Sequence, residues 1–61
     1  MLDHNGNPIN VGDRVEHFAR NSMPEYVGVV VGMPEDQLPL IQVEIQGEVR
    51  RLPHFDLIPA A

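Results

Sequence analysis

Between Pro24 and Pro34 the chain runs Tyr26-Val27-Gly28-Val29-Val30-Val31-Gly32, its longest apolar stretch. Valine favours extended backbone, because branching at Cβ restricts χ1 and packs well on a pleated surface. A helix is disfavoured there: prolines bracket the segment, and Gly28 and Gly32 would each weaken a helix interior. With little alternation between Val27 and Val31, the run predicts a central strand covered on both faces. Gly28 is expected to mark a bulge or bend that lets a small sheet turn a corner.

The flanking segments read as strands and turns arranged around this one. Asp3-His4-Asn5-Gly6-Asn7-Pro8 is dense in turn formers, and Ile9 and Val11 add apolar anchoring. After Gly12-Asp13, the segment Arg14-Val15-Glu16-His17-Phe18 predicts a strand with Val15 inward and Phe18 on the opposite face. Residues 19–25 predict a polar, mobile loop of the kind that carries binding function. Residues 33–39 form a second loop. Leu40 to Gln46 alternates cleanly, so Ile41, Val43 and Ile45 are expected to face the core. Gly47 turns the chain, and Glu48 to Leu52 returns antiparallel. A three-residue loop would set Glu44 opposite Arg50 and avoid placing Ile45 against Glu48. Pro53 to Asp56 suits one 3₁₀ turn, with Asp56 as its cap, before a short closing strand at Leu57-Ile58. The expected fold is all-β: a small five-stranded, partly open barrel with one 3₁₀ turn before the last strand. Residues 1–10 form an N-terminal arm, 11–59 the barrel and 60–61 a tail.

Charge and length bound what such a chain does. Sixty-one residues make one domain with a small core, and scaffolds of this size are often stapled or oligomeric. There is no cysteine, which removes disulfides and thiolate metal sites and fits a cytoplasmic setting. No basic segment and apolar stretch follow Met1, so no signal peptide is expected, nor is any run long enough to span a membrane. Nine acids against four arginines give a net charge of -5, with no lysine. Non-specific nucleic-acid binding relies on Lys and Arg neutralising phosphates, so this balance favours basic protein partners instead.

Few residues carry chemistry. His4, His17 and His54 lack the spacing of a metal site. Asp13 with His17, or His54 with Asp56, would serve acid–base chemistry, but Ser22 is the one hydroxyl nucleophile besides tyrosine and sits in a loop. Asp13 suits a turn hydrogen bond. No catalytic residue, metal or cofactor is therefore expected. Phe18, Met23 and Tyr26 are placed to form a small apolar patch for a protein partner or for self-association. Arg14, Arg20, Arg50 and Arg51 are the available contacts to an anion or nucleic acid.

Gly12-Asp13-Arg14-Val15, Gly28-Val29-Val30, the following hairpin and the Pro53 to Leu57 closure together resemble the small SH3-like barrels. These include KOW-type modules and short phage and plasmid proteins that open on a Gly-Asp-Arg-Val segment. The resemblance spans Val11 to Pro59. It implies a non-enzymatic protein-interaction or accessory module of bacterial or mobile-element type, or a KOW-like nucleic-acid or ribonucleoprotein module. The same residues, with Val49, Pro53 and Leu57, also resemble the type II dihydrofolate reductases, tetramers whose pore carries a Val-Gln-Ile-Tyr run. Here Val49 matches, but Arg50, Arg51 and Leu52 stand at the next three positions. A pore ringed by arginines would concentrate like charge.

Overall fold

Alternating side chains become strands wherever one face can be buried. In the computed structural model, which describes residues 1–20, 23–33 and 39–60, five segments meet that condition. They are β1 (Arg14–His17), β2 (Val27–Gly32), β3 (Leu40–Ile45), β4 (Glu48–Pro53) and β5 (Leu57–Pro59). All pairings are antiparallel, in the order β4-β3-β2-β1-β5. β4 and β5 are the two edges and do not pair, so the sheet is not a closed barrel. No α-helix occurs among the described residues, and none is long and apolar enough to cross a membrane.

The sheet wraps around one apolar cluster of Ile9, Val15, Val30, Ile41, Val43, Ile45 and Leu57. Leu57 and Ile41 lie three strands apart in the sheet order yet share this core. The expected inward set of Val15, Ile41, Val43 and Ile45 is buried. Ile9 joins it from the N-terminal segment, held by its own N–H donating to the Met1 carbonyl and by a bridge between Leu2 and Pro8. Val11 does not anchor anything and lies exposed.

β2 differs from its expected form. Gly28 and Val30 face the core, while Val29 and Val31 are 41% and 40% exposed. A chain of this length builds one sheet with one core, so nothing remains to cover the outer face. The bulge falls between Val30 and Gly32, not at Gly28. Gly28 instead serves a close approach: a Cβ there would meet the Glu44 carbonyl and the side chains of Ile45 and Val43.

The β3–β4 hairpin also departs from expectation. Its loop is two residues, Gln46 at φ 51° and Gly47 at φ 83°, the left-handed pair of a type I′ turn, whose twist matches the flanking strands. Glu44 therefore opposes Val49, Val43 opposes Arg50, and Ile45 opposes Glu48. The Ile45–Glu48 pairing is tolerated because β4 is an edge, where Glu48 reaches water and meets Arg50 Nη2 at 3.3 Å. Charges on the core-facing side of an edge strand discourage pairing with a foreign strand.

Among the described residues there are three 3₁₀ turns, η1 (Phe18–Arg20), η2 (Pro24–Tyr26) and η3 (His54–Asp56), of which η3 is the one expected before the last strand. Phe18 belongs to η1 and not to β1. The expected loop at 19–25 is thus largely ordered as turns in its described part, with Asn21 and Ser22 outside the described residues. Proline at the first position presets φ for η2. Asp56 lies within η3 and does not cap it; Pro53 occupies the cap position with no side-chain bond. Asp13 does close its turn, accepting from the Asn10 N–H at 2.8 Å.

Candidate functional site

The three 3₁₀ turns gather where β1 finishes and β2 and β5 begin. They bring together rings that are far apart in the chain. His4 stacks on Phe18 with centroids 3.8 Å apart and planes 16° from parallel. His4 also donates from Nδ1 to the Phe55 carbonyl at 3.3 Å, while its backbone N–H donates to Leu57. His54 packs its ring edge-on against Phe55, at 5.3 Å, and donates from Nδ1 to the Leu2 carbonyl at 2.6 Å. A carbonyl can only accept, so both histidines hold their proton on Nδ1 when neutral.

His17 extends the cluster inward. Its ring lies 6.1 Å from that of Tyr26. Its Nε2 stands 3.9 Å from Asp56 Oδ2, and its buried Nδ1 finds no partner among the described residues. Arg20 covers the Tyr26 ring at 5.5 Å, a cation–π contact contributing about 0.5–1 kcal/mol at an exposed site. Met23 is tied in by its N–H to Arg20 and by its carbonyl to Tyr26.

A continuous belt results, running Leu2, His54, Phe55, His4, Phe18, His17, Tyr26, Arg20 and Met23, each joined to the next by a contact or by the chain. Leu2, Phe18, Met23 and Phe55 are exposed along it. Its links are ring contacts at His4–Phe18, His54–Phe55, His17–Tyr26 and Arg20–Tyr26, and backbone hydrogen bonds or chain neighbours elsewhere. The expected patch of Phe18, Met23 and Tyr26 falls within this belt. Its other half was not foreseen: Phe55 is 51% exposed and contributes nothing to the core. Nothing in the local sequence marks Leu2, His4, His54 and Phe55 as neighbours, because they meet through long-range hydrogen bonds beside the β1–β5 pairing.

No family model, no curated protein sequence and no solved structure matches this chain.

The remaining candidates disperse. Arg14 lies on the outer face of β1, and Arg50 and Arg51 point to opposite faces of β4. Arg20 is committed to Tyr26, and Arg50 to Glu48. The four arginines therefore make no common basic surface. His17 approaches Asp56, not Asp13. Among the described residues no three His, Asp or Glu side chains converge as metal ligands. Among the described residues, two hollows flank the sheet. One, of about 240 Å³, lies between Tyr26, Gln46, Glu48 and Arg50. The other, of about 290 Å³, lies between the N-terminal segment and β5. Both are smaller than the roughly 300–1,000 Å³ of ordinary small-molecule sites.

Proposed function

We propose that this chain is a protein-interaction module, an SH3-like accessory domain that grips a partner segment along the belt at the 3₁₀ end of its sheet. The observation that carries the reading is the stacking of His4 on Phe18, with exposed Phe55 joined to His4 through its carbonyl and exposed Met23 joined to Arg20 through the backbone. That arrangement fixes the rings before any partner arrives, so little side-chain entropy is lost on binding. Flat, pre-set rings accept apolar or prolyl side chains laid across them. Asp56 and Glu25 border the belt, and the chain carries a net charge of -5, so the partner segment is basic. The strand order and the 3₁₀ turn before β5 support the SH3-like reading, with a cytoplasmic setting.

The test is capture of partners from nuclease-treated lysate by the wild-type chain and by the double variant Phe18→Ala/Tyr26→Ala. Both positions lie outside the buried core, so circular dichroism is expected to be unchanged. A protein retained by the wild type and lost by the variant supports the belt. Equal retention by both removes it, and a catch that disappears with nuclease replaces it with the nucleic-acid reading.

A further inference from the structure

The outer face of the sheet carries a pattern that the belt does not use. Val27, Val29 and Val31 project from it along β2. On that face the registers align one row across the sheet: Arg14 on β1, Val29 on β2, Glu44 on β3 and Val49 on β4. Val49 is 58% exposed. Neighbouring strands are about 4.8 Å apart, so Arg14 and Glu44 sit at equal offsets on either side of Val29. With the described residues neither makes an ion pair.

We propose that a second copy of this chain covers this face, about a two-fold axis that runs along β2 in the plane between the two sheets. A two-fold contact joins a patch to itself and must be self-complementary. Rotation about that axis exchanges the two flanks of β2. Arg14 of each copy then faces Glu44 of the other, while Val27, Val29 and Val31 meet their counterparts. In the adjacent row β1 presents Glu16 beside Val27, where β3 has already ended. No like charges oppose one another. An axis across the strands would instead set Arg14 on Arg14 and Glu44 on Glu44, so the charge pattern selects one axis. Aligned sheets cross at about 30°. At a 4.8 Å offset that crossing displaces facing residues by about 2.5 Å, within reach of an Arg–Glu pair. Burying the valine strip also adds apolar contact to a domain whose own core is seven residues.

Charge reversal tests the pairing without disturbing the core. In Arg14→Glu both facing pairs are Glu–Glu; in Glu44→Arg both are Arg–Arg. In a mixture of the two variants every facing pair is Arg–Glu again. Sedimentation equilibrium across a micromolar to millimolar series is expected to show a dimer for the wild type. Each variant alone is expected to associate at least tenfold more weakly, and their equimolar mixture to recover wild-type association. Recovery also shows that both variants are folded. A wild type that stays monomeric throughout, single variants that associate as well as the wild type, or a mixture that fails to recover would each overturn the proposal. Partner capture by the belt involves none of these positions and stands or falls separately.

Discussion

Replacing Gly28 by alanine adds one methyl group at the most crowded point of the sheet. The new Cβ would lie against the Glu44 carbonyl, 2.7 Å from Ile45 Cγ1 and 2.9 Å from Val43 Cγ1. The two side chains belong to the buried core; overpacking of this kind costs about 1–3 kcal/mol. The carbonyl is backbone and can yield only if β2 and β3 part locally, which weakens ladder hydrogen bonds worth about 1 kcal/mol each. The expected loss is therefore about 3–4 kcal/mol. A chain of 61 residues has a total stability of about 3–9 kcal/mol at typical values per residue, so the variant should be close to half unfolded or lose much of its margin. Urea denaturation followed by circular dichroism reads this directly, and the melting temperature should fall by more than about 12 °C. Gly32→Ala is the matched control. There the nearest atoms are the Gln42 side-chain amide, at 3.0 and 3.1 Å, which can swing away, so the change should stay within about 1 kcal/mol. A Gly28→Ala loss below 1 kcal/mol, or equal to that of Gly32→Ala, would refute the close-approach argument.

Two further substitutions probe the turns. Gln46→Asn should stabilise the hairpin by about 0.5–1 kcal/mol, since Gln46 holds a left-handed φ of 51° before Gly47 and Asn-Gly is the favoured type I′ pair; a lower urea midpoint would contradict that turn type. Asp3→Ala should cost about 1–3 kcal/mol, because the buried Asp3 carboxylate accepts the N–H groups of Asn5 and Asn7 at 2.8 and 3.0 Å. An unchanged melting curve would mean that the N-terminal turn contributes nothing to the fold.

The features legible in the sequence were those with a local cause. Alternation from Leu40 to Ile45 marked β3 and its inward face, because a pleated strand puts every second side chain on one side. Prolines and glycines marked the ends of β2, and Asp13 announced its own turn bond. Phe18 and Met23 were legible as exposed, whereas Tyr26, read with them, is half-buried. The hairpin register was not: pairing Glu44 with Arg50 and keeping Ile45 off Glu48 point to a three-residue loop, whereas the twist of the whole sheet favours the two-residue turn found. Nor was the outward exposure of Val29 and Val31: a run of valines reads the same whether one face or two are covered, and the number of layers is settled only by how much chain there is to pack. The histidine–aromatic belt depended wholly on tertiary structure. Leu2 and His4 lie about fifty residues from His54 and Phe55 in a chain of 61, and they meet where β5, paired with β1, brings the preceding 3₁₀ turn against the N-terminal segment. What the sequence determined by itself was the set of strands, their turns and most of the core, through sterics and period. Which side chains share a surface was decided by the order in which those strands pair.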